Sequence, residues 1–150
     1  MMTYIPALTR LAFAVLVLSQ TAPQPATSAD AIVRAEAKWQ ATKPAVYEFT
    51  IELNCFCDIE IPAPSFRVTN GTPARVTPVD PKRAGNYSAF DTIDELLTNL
   101  KFYASRGAVK FNVQYEAEFG YPVSADLDRS RDMSDDELAF KVSGFRVVTK

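Results

Sequence analysis

The 150-residue chain predicts an α+β domain, a mainly antiparallel sheet of about six strands with two helices packed on one face. Three observations carry that prediction. Two stretches, Tyr47 to Cys57 and Val109 to Glu116, alternate apolar and polar residues with the two-residue period of a half-buried strand. Two others repeat at helical spacing, and the elements run helix, three strands, helix, three strands. Connections between the strands are of hairpin length, so neighbours should pair antiparallel, and one polar face per strand leaves only the other face for helices to cover.

Residues 1–29 stand apart from that domain. A short n-region with Arg10 leads into Leu11-Ala12-Phe13-Ala14-Val15-Leu16-Val17-Leu18 and then a Pro/Thr/Ser/Ala-rich stretch, the pattern of a secretory signal peptide. The apolar run is shorter than the roughly 20 residues a bilayer requires, and no second one follows, so no stable membrane insertion is expected after cleavage. Cleavage is expected after Ala29, with Ala31 as the alternative; neither cysteine lies near enough to serve as a lipid-anchored N-terminus. The reading is a signal peptide over 1–29 and a single exported domain over 30–150, periplasmic or secreted. Removing Arg10 with the leader leaves 15 basic against 18 acidic residues, which argues against nucleic acid or an anionic membrane as partner.

Each element has its own signal. Asp30 is placed to cap a first helix whose apolar positions are Ile32, Ala35 and Trp39, with Pro44 beyond its end. The lone tryptophan is read as a core anchor laying that helix on the sheet. In the first strand Tyr47, Phe49, Ile51, Leu53, Cys55 and Cys57 share the inward face, while Glu48, Thr50, Glu52 and Asn54 share a solvated one. Phe66 to Val76 is a hairpin about Asn70-Gly71, because those residues tolerate the positive φ of a type I′ turn, and Pro73 suits an edge strand. After a loop, Thr92-Ile93-Asp94-Glu95 has capping-box form and opens a helix with an Ile93, Leu96, Leu97, Leu100 stripe and Gly107 as terminator. Val109, Phe111, Val113 and Tyr115 form the inward set of the next strand, and Gly120 turns the chain into a strand ending near Leu127. In the last strand Leu138, Phe140 and Val142 have one parity and Phe145 and Val147 the other, so Ser143-Gly144 is read as a bulge that resets the facing.

Candidate chemistry begins with Cys55-Phe56-Cys57. An exported chain meets an oxidising compartment, and two cysteines make one intramolecular disulfide the first reading. In a flat strand their α-carbons would stand roughly 6.6 to 6.8 Å apart, at the outer limit for bridging, so a bond needs a turn or bulge at Phe56. A ring this small would stabilise the fold by only about 1.6 kcal/mol. The alternatives are a redox-active or soft-metal-holding thiol pair, and two free or intermolecular thiols. The chain has no histidine, which removes the commonest metal ligand and excludes a Ser-His-Asp arrangement.

The second candidate is the acidic stretch from Asp126 to Glu137. Its oxygen-bearing side chains have the spacing of an EF-hand calcium loop, which would make Asp126, Asp128, Asp132 and Glu137 the metal ligands. Arg131 stands where that loop needs glycine, and a strand precedes it instead of a helix; a solvated hairpin loop accounts for the same residues. Glu48 and Glu52 could be cast as paired carboxylates, but a wet strand face explains them.

Taken together, Trp39, Tyr47-Glu48-Phe49 leading to Cys55-Phe56-Cys57, Val68…Asn70-Gly71, Thr92-Ile93-Asp94-Glu95-Leu96, Val113-Gln114-Tyr115, Gly120-Tyr121-Pro122, Asp128 and Asp135-Asp136-Glu137 resemble a bacterial family of small secreted proteins and lipoproteins, domain-of-unknown-function family 6174. The resemblance spans nearly the whole mature chain. It implies an exported α+β domain and supplies no activity; the missing lipobox cysteine departs from the lipoprotein members. The functional expectation is a non-catalytic binding or envelope accessory protein with no cofactor, acting on a protein or small ligand. The alternatives are a thiol redox or soft-metal-handling protein using Cys55 and Cys57, and a calcium-stabilised module.

Overall fold

A computed structural model of the chain describes residues 28–55, 63–77, 85–130 and 137–149. The elements are α1 (Ser28–Thr42), β1 (Val46–Cys55), β2 (Ser65–Thr69), β3 (Thr72–Arg75), α2 (Ile93–Ser105), β4 (Lys110–Tyr115), β5 (Pro122–Asp128) and β6 (Leu138–Val147). The strands form one six-stranded sheet in the order β3-β2-β1-β6-β5-β4, antiparallel at every step. This is the predicted α+β architecture. The hairpins 1-2-3 and 4-5-6 are zipped together by β1 against β6, and the connection through α2 carries the chain from one edge of the sheet to the other.

The two-residue alternation divides the faces as the sequence implies. Tyr47, Phe49 and Ile51 of β1, Phe66 and Val68 of β2, Ala125 and Leu127 of β5, and Leu138, Phe140 and Val142 of β6 are all buried. Against them lie Ile32, Ala35 and Trp39 of α1 and Ile93, Leu96, Leu97 and Leu100 of α2, in one continuous core. Both helices therefore cover the same face.

Trp39 is fully buried, its ring edge-on to Tyr47 with centroids 5.2 Å apart. Its Nε1 donates to Asp94 Oδ2 at 3.2 Å, and Gln40 Nε2 and Lys43 Nζ donate to Oδ1 of the same carboxylate, so Asp94 at the start of α2 ties down the last turn of α1. Burial pushes the Asp94 carboxyl up, but these donors outweigh it and hold it below the ordinary aspartate range. The α2 N-terminus is closed by Thr92, whose hydroxyl accepts from Glu95 N at 3.0 Å, and by Tyr47 Oη, which accepts from Ile93 N at 3.2 Å.

Three local expectations change. Helix α1 starts at Ser28, so Asp30 lies in its first turn, where its charge suits the helix dipole, instead of at the cap. Val109 precedes β4 and is exposed, and Val147, the last residue of β6, is exposed as well. The Asn70-Gly71 turn has φ of 49° and 82°, as a type I′ turn requires, and Pro73 falls on edge strand β3.

Candidate functional site

The face of the sheet away from the helices carries mostly short or polar side chains. At its centre, among the described residues, a charged cluster departs from a solvated surface. Glu48 is buried, its side chain 8% exposed, although it belongs to the outward set of β1. The cause is its two neighbours: strand register places Arg67 of β2 and Arg146 of β6 directly opposite Glu48, one on each side. Arg67 Nε donates to Oε1 at 2.6 Å and Arg146 Nε to Oε2 at 2.7 Å, and each guanidinium adds its Nη2 to the same oxygen.

The bulge in β6 produces this arrangement. Thr50 pairs with Ser143, and an uninterrupted ladder would set Phe145 opposite Glu48 on the outer face. The register instead shifts between Glu48 and Thr50, with Gly144 at φ 60°, and Arg146 arrives opposite Glu48. Phe145 is thereby turned inward against Trp39, Tyr47, Phe119 and Tyr121. One inserted residue fills the aromatic core and completes the charged cluster.

Hydrogen bonds from Arg146 first, then Arg67, hold the Glu48 carboxyl below its ordinary value of 4.5 against a smaller opposing effect of burial. Glu48 is thus ionised, and the cluster carries a net positive charge. Short side chains surround it: Thr50 and Ser65, whose hydroxyls lie 2.7 Å apart, Ala74 opposite Arg67, and Ser143 opposite Thr50. The two arginine side chains consequently remain 49% and 69% exposed. Each spends its Nε and Nη2 edge on Glu48, which leaves Nη1 with two N–H groups for a second acceptor.

Because its folded-state value is depressed, Glu48 contributes stability that is fully present above about pH 4.5 and is lost as pH falls through the lower folded value. Glu48→Gln is expected to cost about 1 to 2 kcal/mol at pH 7, discounted for the exposed guanidiniums. It should also flatten the fall of melting temperature below about pH 4.5. Melting curves followed by circular dichroism across that range check this, and parallel acid limbs for the two proteins would contradict it.

The sequence-predicted candidates fall elsewhere. Cys55 is the last residue of β1, paired with Leu138; Cys57, and with it the expected disulfide, lies outside the described residues. Asp126 pairs with Lys110 at 2.6 Å, Asp128 accepts from Ser130 N at 2.9 Å, and Glu137 is exposed just before β6; Asp132 lies outside the described residues. Among the described residues no three Cys, Asp or Glu side chains converge as metal ligands. Glu52 is exposed opposite Lys141, as a wet strand face implies, whereas Glu48 is largely covered by its two arginines. Sequence reasoning missed Arg67 and Arg146. The predicted bulge at Ser143-Gly144 carried the signal for Arg146, whereas the Asn70-Gly71 turn joins β2 to β3 and leaves the β1–β2 register that brings Arg67 beside Glu48 unspecified.

A family described as "Family of unknown function (DUF6174)" matches residues 31–147. No curated protein and no solved structure matches the chain. Among the described residues no helix is long and apolar enough to cross a membrane.

Proposed function

We propose that this chain, which belongs to the family of unknown function DUF6174, is an exported, non-catalytic binding domain that takes an anionic group of its partner on the open face of the sheet. The observation that carries the reading is the clamped Glu48. A buried carboxylate accepting from two guanidiniums fixes both in place before any ligand arrives, so little side-chain entropy remains to be lost on binding. A carboxylate or phosphate can then accept charge-assisted hydrogen bonds from the Nη1 groups that Glu48 does not use. The site is a local positive spot on a domain with an overall acidic balance, so an anion is drawn to this spot and not to the surface at large. Export is supported by the n-h-c pattern of the leader, which precedes the segment that matches the family.

The test uses protein recovered from outside the cytoplasm, whose intact mass should correspond to a chain starting at Asp30. Titration with inorganic phosphate and with acetate, against chloride at equal ionic strength, is followed by the arginine Nε–Hε resonances. Saturable shifts of Arg67 and Arg146 at about 1 to 10 mM ligand are expected, abolished by Arg67→Gln or Arg146→Gln and retained in Lys141→Gln. Shifts that track ionic strength alone would overturn the binding reading.

A further inference from the structure

The open face of the sheet continues beyond the arginine pair, and its chemistry changes along the strands. After Glu48 the outward positions are Thr50 of β1, opposite Ser143 of β6, and then Glu52, opposite Lys141. That last pair stands four residues from Glu48 along β1, roughly 13 Å. It lies in one lateral row with Ser124 of β5 and Gln114 of β4, and the row beyond carries Asp126 and Asn112 on the same two strands. The β4 and β5 ends of these rows border a shallow trough of about 590 Å³, within the size range of small-ligand sites.

Charge and hydrogen-bonding capacity specify what this strip takes. Past the arginines it is charge-balanced, with Glu52 opposite Lys141 and Asp126 held by Lys110 Nζ at 2.6 Å, so a ligand acidic along its whole length gains little after its first charge. The amides of Asn112 and Gln114 are exposed and hold no partner among the described residues. Each both donates and accepts, as does the Ser124 hydroxyl, and that capacity matches an alcohol, which also does both. A peptide ligand would be held through a free strand edge or through pockets for apolar side chains. Along the strip β1, β6 and β5 are each paired on both sides, and the outward side chains are short, amide or charged.

We infer that the ligand is a saccharide carrying an acidic group at one end, an assignment that rests on the anion-binding reading of Arg67 and Arg146. The acid is held by the two guanidiniums with charge-assisted hydrogen bonds. The neutral sugar units extend over Thr50 and Ser143, and their hydroxyls reach the amides of Asn112 and Gln114 in the trough. The arginines thus select for charge, and the amides select for what the charge is attached to.

The probes are cellotetraonic and maltotetraonic acids, each a neutral sugar chain ending in a single carboxylate, with acetate as the carboxylate alone and tetraglutamate as an acidic peptide. The exported protein is titrated with each at equal ionic strength, followed by the Nε–Hε resonances of Arg67 and Arg146 and the side-chain amides of Asn112 and Gln114. At least one sugar acid should bind about tenfold or more tighter than acetate and shift the amides together with the arginines. The double variant Asn112→Ala/Gln114→Ala should remove that gain and leave acetate binding as in wild type. Both side chains are exposed, so its melting temperature should stay near wild type. Three results overturn the inference while leaving the anion site standing: neither sugar acid binds tighter than acetate, the gain survives the double substitution, or tetraglutamate binds tighter than both. Absence of any acetate shift overturns the anion site itself, and this inference with it.

Discussion

Trp39→Ala is expected to lower the unfolding free energy by about 4 kcal/mol, the scale for emptying a fully buried aromatic site. The side chain has no solvent-exposed alternative and the site cannot collapse easily, because it is walled by the rings of Tyr47 and Phe145. Its loss also frees Asp94 Oδ2 from the indole N–H, loosening the junction of the two helices. For a domain with a total stability on the order of 5 to 15 kcal/mol this is a large fraction. In urea followed by circular dichroism the midpoint should fall by about 2 M. Trp39→Phe keeps a ring in the site but not the donor, and should cost about 1 to 2 kcal/mol. Equal losses for the two variants would show that the indole N–H, and not the buried ring, dominates.

The second large effect is expected at Gly120, which ends the β4–β5 turn at φ 82° beneath α1. A Cβ there would stand 2.7 Å from the carbonyl oxygen of Ala35 and 2.9 Å from Lys38 Cβ. The first of these is helix backbone, which cannot swing aside as a side-chain tip would. Gly120→Ala should therefore cost about 3 kcal/mol, from left-handed backbone strain together with displacement of α1, and lower Tm by about 12 °C. Gly71 supplies the control. It has the same φ of 82° with nothing within 4 Å of its added Cβ, so Gly71→Ala carries the strain alone, about 1 kcal/mol. Similar losses at the two positions would mean that the approach of α1 contributes nothing.

The elements were legible wherever a single period ran uninterrupted. The outward and inward sets of β1, the Ile93 to Leu100 stripe, the Asn70-Gly71 turn and the Gly144 bulge all follow from local chemistry, and local chemistry is what one strand or helix can encode. The candidate site was not legible in the same way. Glu48 has the parity of a solvated residue, and only pairing with two strands remote in sequence converts it into a buried anion. The parity and the bulge that moves Arg146 were readable, but the β1–β2 pairing that sets Arg67 beside Glu48 is a property of the strand order. Asp126 and Asp128 show the reverse case. Their spacing imitates a ligand set, while the strand beneath them ties Asp126 to Lys110.

The strand order has a consequence in time as well as in space. The middle of the sheet is made by the first strand and the last, so β1 has only β2 on one side until residues 138–147 exist to fill the other. A nascent chain lacking them leaves one edge of β1 unpaired, Tyr47 without Phe145 and Glu48 without Arg146. Joining segments about ninety residues apart is a slow closure compared with forming either hairpin. The seam between β1 and β6 is thus the last part of the sheet to close, and it waits for residues 138–147 to be made.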